Sequence, residues 1–161
     1  QILPYNRVVR DLNGQSQEEF LSNVKRVFEV SINGAPAPKA RGSWSMYLDN
    51  QWYGLSLPAE APKPEGAVAS LDVALLQDRL LDPVLGIKDV RTDKRIDFVG
   101  GLRGTEELER LVNEGKAVVA FSLYATNVAD LLRVSDAGEI MPPKSTWFEP
   151  KLRDGLLIHT I

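Results

Sequence analysis

Residues 141–151 bring lysine, hydroxyl, aromatic and carboxylate side chains together in a segment stiffened by three prolines. The triplet Lys144, Ser145 and Thr146 is like the end of a phosphate-binding P-loop, but that loop needs glycines whose N–H groups curl around a phosphate. Prolines precede the lysine here, and proline has no N–H to donate. The sequence therefore predicts no Walker-type nucleotide site and leaves room for a looser anion contact through the three side chains. The alternative is a rigid surface loop whose aromatic rings fill the core.

A second cluster of charged residues surrounds a predicted strand that ends in a pair of glycines. Four cations and two carboxylates lie between Arg91 and Arg103, and a helix begins directly after them. Backbone N–H groups at such a turn, together with the helix dipole, favour an anion. Arginine also suits the bidentate capture of phosphate or carboxylate. The glycine spacing is not that of a dinucleotide-binding fingerprint. The alternative is a solvated edge whose charges of opposite sign pair with each other.

Together the two clusters give one predicted anion site. Its candidate residues are Arg91, Lys94, Arg95, Gly100, Gly101, Lys144, Ser145 and Thr146. The prediction requires that side chains distant along the sequence meet in the folded chain. If they do not, the charges are expected to be neutralised locally by neighbouring acids.

Three other features could carry chemistry. Asp93 and Asp97 have the carboxylates that Mg²⁺ prefers, but ion pairs with neighbouring cations are favoured, and no metal site is predicted. His159 alternates with apolar residues on a predicted last strand, which favours a structural histidine over a general base. The polar side chains of Asn6–Arg10 offer contacts at the end of the first strand.

The composition excludes several classes of protein. With 161 residues the chain has the length of one domain. Nineteen Lys and Arg residues against 22 Asp and Glu residues give a formal net charge of −3, the wrong sign for bulk binding of nucleic acid. The lack of cysteine removes disulfides, iron–sulfur clusters and thiolate zinc sites. No apolar run is long enough to span a membrane and no signal peptide is visible, so we expect a cytoplasmic protein.

Capping residues predict the starts of three helices, at Ser16, Ser70 and either Thr126 or Asn127, and a further helix, the third along the chain, is predicted to open at Thr105. The first start is a capping box completed by Glu19. The second helix ends before Pro83, because the residue before proline avoids the helical region. In the third helix we expect Glu106 to pair with Arg110.

Alternating and continuous apolar runs predict the strands, at residues 2–9, 29–32, 44–48, 52–57, 95–99, 117–124 and 156–161. The runs 44–48 and 52–57 each contain a tryptophan and are predicted to form a hairpin. Its aromatic rings are expected to pack across the strands rather than to stack on bases. The run 117–124 is almost continuously apolar, which predicts a central strand buried on both faces. The proline-rich segment 58–66 is predicted to be a mobile, solvated connector.

This order of elements favours an α+β fold, with a mixed β-sheet, helices mainly on one face and an aromatic β-hairpin. Both ends of the chain have a strand-like pattern, whereas intact chains usually end in polar tails. We therefore expect residues 1–161 to be a single domain that is a C-terminal fragment of a longer protein.

Four strings of residues, taken together, resemble the C-terminal half of the bacterial and archaeal family catalogued as domain of unknown function one thousand and fifteen. The strings are residues 2–9, 69–73, 91–101 and 136–151. The N-terminal half of that family carries an Asp-Gly-His-His-Arg-type motif. This motif is similar to the Asp-Gly-Asn-His-Arg motif of ParB/sulfiredoxin-like proteins, which include free-serine kinases. No residue of this sequence matches the motif, so no catalytic role transfers to any position here.

The resemblance implies a supporting role in phosphoryl transfer on a serine-like metabolite. The chain would then bind a small phosphorylated metabolite, have its own missing N-terminal half as partner, and be inactive alone. A nucleotide and Mg²⁺ would serve the full-length protein. The alternative is a scaffold or homodimerisation module without a ligand of its own. Binding of nucleic acid is the least favoured function, since the chain is acidic and lacks a basic helix.

Overall fold

A computed structural model of the chain describes residues 2–62 and 64–148. Its strands are β1 (Ile2–Val9), β2 (Glu29–Ile32), β3 (Ser43–Leu48), β4 (Gln51–Ser56), β5 (Ile96–Gly100), β6 (Val119–Leu123) and β7 (Thr146–Phe148). Its α-helices are α1 (Gln17–Val27), α2 (Asp72–Leu76), α3 (Gly104–Asn113) and α4 (Val128–Asp136). A π-helical turn, Gln77–Leu81, extends α2, and a 3-10 turn, Gly101–Arg103, precedes α3. The predicted last strand, 156–161, and His159 lie outside the described residues.

The strands form one sheet in the order β2-β4-β3-β6-β1-β5, and β7 pairs with the first residues of β1. β1 is hydrogen-bonded along both edges, since residues 5–9 pair with β5 and residues 7–9 pair with β6. β6 lies between β3 and β1, and all of its residues are buried. The prediction of a central strand buried on both faces is therefore confirmed.

The α+β class is confirmed, because four α-helices accompany a sheet whose described strand pairs are all antiparallel. The direction of the strands corrects the prediction of a mixed sheet. The neighbours of β1 in the sheet are β5 and β6, and both come from distant parts of the chain. The order of the strands along the chain does not specify which distant strands pair or in which direction. The antiparallel arrangement therefore could not be predicted from that order.

Each face of the sheet is covered by its own apolar layer. On one face, side chains of α1, α2, the π-helical turn and α4 pack against the sheet around the fully buried Phe20, Trp44 and Phe121. On the other face α3 packs through Leu108 against Val8 of β1. Three of the four helices therefore lie on one face, as predicted. The larger layer is the one that reaches the polar side chains discussed below.

The aromatic hairpin joins β3 to β4 through a two-residue turn. Asp49 and Asn50 have φ angles of +50° and +63°, the left-handed conformations that a type I′ hairpin turn requires. Tyr47 and Trp52 are directly opposite each other, with ring centroids 5.0 Å apart. The Trp52 indole N–H donates to Glu109 of α3 at 2.6 Å. The rings therefore pack the hairpin against the smaller apolar layer.

Two local predictions about helices were wrong. Ser70 does not cap α2, because its hydroxyl donates to the Ala67 carbonyl within the preceding turn, and Leu71 occupies the capping position. Arg110 pairs with Glu107 rather than with Glu106, at 2.7 Å. Glu107 also accepts from Arg103 of the 3-10 turn at 3.2 Å, so it is the acid that two cations contact.

The capping box at the start of α1 is confirmed and gives a test of local stability. The Glu19 N–H donates to the Ser16 hydroxyl at 3.1 Å, and the Ser16 N–H donates to the Glu19 carboxylate at 2.9 Å. We expect Ser16→Ala to lower the free energy of unfolding by about 1 kcal/mol, measured by urea denaturation. Ser22→Ala, at an exposed position of the same helix, is the control and should leave stability unchanged or slightly raised. Equal effects of the two changes would contradict the role of the cap.

Candidate functional site

The eight residues of the predicted anion site lie in four places. Arg91, Lys94 and Lys144 border one surface depression of about 630 Å³. We call it the cationic depression; its lining residues are Arg10, Val90, Arg91, Thr92, Asp93, Lys94, Ile96, Asp97, Phe98 and Lys144. The other five predicted residues do not line it. The structure therefore brings together part of the predicted site and adds Arg10 to it.

Antiparallel pairing of β1 and β5 positions the cationic depression. Val9 pairs with Ile96, so Arg10 follows the end of β1 beside the beginning of β5. There the Arg10 side chain donates to the Lys94 carbonyl at 2.9 Å and forms an ion pair with Asp97 at 2.5 Å. The end of one strand and the loop before another are thereby joined into one wall of the depression.

Lys144 reaches the same depression from the turn before β7. Its backbone has a φ of +57°, a left-handed conformation that is uncommon for lysine and is often found at functional sites. The ammonium lies 5.3 Å from the ring centroid of Tyr5 and 5.8 Å from that of Phe98. Among the described residues, neither Lys144 nor Lys94 has a carboxylate within ion-pair distance. These two ammonium groups are therefore available to an anion.

Arg91 lies at the outer side of the depression and pairs with Asp89. The Asp89 carboxylate accepts from the Arg91 N–H at 2.9 Å and from its guanidinium at 3.3 Å. These hydrogen bonds hold the pKa of Asp89 below its usual range. Both side chains are exposed to solvent, and exposed ion pairs are weak. Arg91 can therefore leave Asp89 for a more strongly charged partner.

Arg95 has a different environment from the other predicted cations. Its guanidinium pairs with Asp93 at 2.8 Å and donates to the carbonyls of Leu85 and Gly86 at 2.9 and 3.0 Å. The hydrogen bond to Asp93 raises the pKa of Arg95 and lowers that of Asp93. A further contact reaches Asp11, at 3.4 Å. Arg95 is thus occupied in joining the loop before β5 to the turn after the π-helical segment, and it does not line the depression.

The two predicted glycines serve the sheet. Gly100 pairs with Tyr5 in the β1–β5 ladder. A Cβ atom on Gly101 would lie 2.8 Å from Cδ of Pro4 and 2.9 Å from the Pro4 carbonyl oxygen. Such distances are sterically forbidden, so only glycine allows the chain to pass β1 this closely. In this arrangement the glycine pair accommodates a strand rather than a phosphate.

Ser145 and Thr146 also lie away from the cationic depression. The Ser145 hydroxyl donates to the Pro142 carbonyl, and Ser145 lines a separate cavity of about 20 Å³. That volume has room for about one water molecule and is too small for a metabolite. Thr146 begins β7 and pairs with Pro4.

The small cavity beside Ser145 contains two buried carboxylates. Asp72 accepts from the Gly42 N–H at 3.0 Å, and Asp130 pairs with Arg41 at 2.8 Å and with Arg133. Burial raises the pKa of Asp72 to about 6, although the hydrogen bond from Gly42 and the charge of Arg41 act in the opposite direction. These carboxylates join the loop before β3 to α2 and α4, which is a structural role.

A second, mostly apolar pocket contains Arg7, which the sequence analysis named only for polar contacts at the end of the first strand. We call it the Arg7 pocket; it has a volume of about 350 Å³ and is lined by Arg7, Val68, Ala69, Val73, Ala74, Gln77, Asp78, Leu81, Val90, Glu139, Pro142 and Pro143. Arg7 is only 1% exposed. One guanidinium nitrogen donates to the Lys144 carbonyl at 2.7 Å, and the group lies 5.1 Å from the Phe98 ring centroid. Burial lowers the pKa of Arg7 to about 10.

The sequence does contain a pattern that indicates a buried polar residue at Arg7. Asn6 and Arg7 are adjacent polar residues in a strand, so they point to opposite faces of the sheet, and both are buried. Asn6 accepts a hydrogen bond from the Leu123 N–H at 3.0 Å. A strand that is covered on both faces has no solvent side, so each polar residue in it needs a partner in the protein or in a ligand.

The two carboxylates of the cationic depression are engaged by arginines. Asp93 pairs with Arg95 and Asp97 with Arg10. No group of three or more His, Asp and Glu side chains in the described part of the chain is arranged to hold a metal ion. The depression therefore offers cations to an anion, and both of its carboxylates are in ion pairs.

The raised pKa of Asp72 predicts how stability depends on pH. An unfolded aspartate has a pKa of about 3.9, so between about pH 4 and pH 6 the folded chain binds more protons than the unfolded chain. The contribution of Asp72 to stability therefore falls as pH rises through this window, by up to about 3 kcal/mol. We expect the free energy of unfolding of Asp72→Asn, measured by urea denaturation, to rise relative to that of the unaltered chain as the pH is raised from 4 to 7. The exposed Asp136→Asn is the control, and a parallel pH dependence of all three proteins would contradict the prediction.

Solved structures with a similar fold include enzymes that bind nucleotides. A free serine kinase in complex with AMP is 12% identical with a TM-score of 0.51, and a mutant free serine kinase in complex with ADP is 15% identical with a TM-score of 0.51. Both alignments cover 91% of this chain and 53% of the solved chain. A conserved hypothetical protein from Pyrococcus furiosus is 16% identical, with a TM-score of 0.54, over 96% of this chain and 58% of that chain. These likenesses show a shared fold, and this chain spans little more than half the length of the solved chains.

Three further findings concern the class of protein. No curated protein matches the chain. In the part of the chain that the structure describes, every helix is too short or too polar to cross a membrane. The family model described as "Protein of unknown function (DUF1015)" matches residues 1–74. The match covers a little under half of the chain. The matched family is the one that the four strings of residues resemble.

Proposed function

We propose that this chain supports phosphoryl transfer by binding the phosphate group of a small metabolite or nucleotide in the cationic depression. The observation that carries the proposal is the convergence of Arg10, Arg91, Lys94 and Lys144 on one depression of about 630 Å³. These cations come from three separate segments of the chain. A volume of this size accommodates a small phosphorylated ligand.

The charge of the depression favours an anion although the chain as a whole is acidic. Its lining residues include four cations and the two carboxylates of Asp93 and Asp97, so their formal charges sum to +2. The formal charge of the whole sequence is −3. A local excess of one sign in a concave surface raises the concentration of ligands of the opposite sign.

The cations have different chemical uses in this proposal. Lys94 and Lys144 act as point charges that a phosphate can approach without displacing a carboxylate. Arg91 adds a planar donor group once it exchanges Asp89 for the phosphate. Phosphoryl transfer depends mostly on positioning and on stabilisation of the charge of the transferred group, which such a surface can supply.

The fold adds support of a different kind. Free serine kinases in complex with AMP or ADP share the fold over 91% of this chain. We carry the finer parts of the hypothesis forward as part of the proposal. They are a serine-like substrate, an N-terminal half that brings the catalytic groups, and a cytoplasmic location. The engagement of Asp93 and Asp97 by arginines leads us to assign any Mg²⁺ site to that other half.

One observation favours the alternative, a scaffold or dimerisation module. Val128 and Leu132, one turn apart on α4, are each 58% exposed, and Ile140 is 88% exposed. Apolar groups of this size on one helix face are typical of a surface that contacts a partner. Under this alternative the chain would be a dimer by light scattering, Leu132→Glu would make it monomeric, and phosphate would not bind.

Lys144 gives the direct test of the phosphate site. Lys144→Asn removes the ammonium, while asparagine tolerates the left-handed backbone at this position, so we expect the fold to be retained. We expect inorganic phosphate and ADP to bind the unaltered chain at low salt and the variant about tenfold more weakly, measured by isothermal titration calorimetry.

Lys116→Asn is the matched control, because Lys116 is an exposed lysine that pairs with Glu114 outside the depression. It should bind like the unaltered chain. Binding that is equally strong in both variants, or no binding to the unaltered chain, would refute the proposed function.

A further inference from the structure

The Arg7 pocket contains a buried charge whose hydrogen-bonding groups are mostly unused. Of the three guanidinium nitrogens of Arg7, Nη2 donates to the Lys144 carbonyl, and Nε and Nη1 are buried without a hydrogen-bond partner in the described part of the chain. The contact with the Phe98 ring compensates some of the charge but satisfies neither of these N–H groups. A buried cation in this condition costs free energy unless an anion accompanies it.

A second unsatisfied group faces the same pocket from the π-helical turn. The Gln77 side chain donates through Nε2 to the Ile87 carbonyl at 2.7 Å, which fixes its orientation. Its Oε1 is buried and, among the described residues, accepts no hydrogen bond. Two residues that line the pocket thus hold two unpaired donor nitrogens on a cation and one unpaired acceptor on a neutral amide, all three buried. π-Helical segments are uncommon and are frequent at functional sites.

The rest of the lining is apolar and shaped for a small molecule. Val73, Ala74, Leu81 and the prolines Pro142 and Pro143 form most of the wall. The volume of about 350 Å³ is near the lower end of the range for ligand pockets. A few convergent polar groups in an apolar cavity are what orient a small ligand.

We propose that the Arg7 pocket binds a small organic oxyanion, with Arg7 holding its carboxylate or phosphate group and Gln77 accepting a hydrogen bond from a hydroxyl or ammonium group of the same molecule. A hydroxy acid, an amino acid or a small phosphate ester has this chemistry. Asp78 and Glu139 also line the pocket, and their charge favours a ligand whose second group is an ammonium.

This site is separate from the cationic depression. Of the residues that line the two, only Val90 is common to both. The inference therefore does not rest on the proposed function: either site can exist without the other. Their variants also differ, so failure of one proposal is distinguishable from failure of the other.

The test uses three probes on the whole chain: L-serine for a carboxylate, glycerol 3-phosphate for a phosphate, and ethanolamine as an analogue of serine without the carboxylate. We expect L-serine or glycerol 3-phosphate to raise the melting temperature and to bind by calorimetry, and ethanolamine to do neither. Arg7→Met should weaken that binding about a hundredfold, because two charge-assisted hydrogen bonds are lost. Gln77→Leu should weaken it about tenfold.

Arg7→Met has a second expected effect that a structural arginine would not give. Without any probe, the variant should melt at the same temperature as the unaltered chain or higher, since methionine removes an uncompensated buried charge at similar volume. Ala74→Phe fills the pocket without touching Arg7 and should abolish binding as well. Lys116→Asn, an exposed position that lines neither site, is the control and should retain binding of L-serine.

Three outcomes would overturn the proposal. The first is that neither oxyanion probe binds the unaltered chain. The second is that Arg7→Met and Ala74→Phe bind the probes as the unaltered chain does. The third is that Lys144→Asn, and not Arg7→Met, abolishes binding, which would assign the bound anion to the cationic depression.

Discussion

The burial of β1 is the constraint on which the rest of the structure depends. The strand is hydrogen-bonded along both edges and covered on both faces, so none of its central side chains reaches solvent. Val8 and Val9 satisfy this constraint as apolar residues, and Asn6 satisfies it by accepting from β6. Arg7 satisfies it only in part. The fold therefore holds one cation in its interior and brings the next, Arg10, to the surface directly beyond the end of the strand.

The segment before β7 connects these features. Pro142 and Pro143 line the Arg7 pocket, Lys144 borders the cationic depression, and Ser145 borders the small cavity beside Asp72. Four consecutive residues therefore touch three separate concavities. The proline-rich string that the sequence marked as unusual is important because of this position, and less because of the hydroxyl groups that first drew attention to it.

Local features of the fold could be predicted from the sequence, whereas the grouping of charges could not. The capping box at Ser16 and the hairpin at Asp49 depend on residues within a few positions of each other, and both were predicted. Arg95 and Arg91 look equivalent in the sequence, yet Arg95 is held by two backbone carbonyls of a distant turn. The burial of Arg7 depends on α2 and on the segment before β7, which no local pattern connects to β1.

Lys144 takes part in both sites: its backbone carbonyl accepts from Arg7, and the residue borders the cationic depression. A ligand in the Arg7 pocket that draws the Arg7 guanidinium away from this carbonyl would remove a hydrogen bond that holds the Lys144 backbone. Thermodynamic linkage is reciprocal, so a phosphate that fixes Lys144 must then alter the affinity of the interior site by the same factor. The dissociation constant measured at either site would depend on the occupancy of its neighbour.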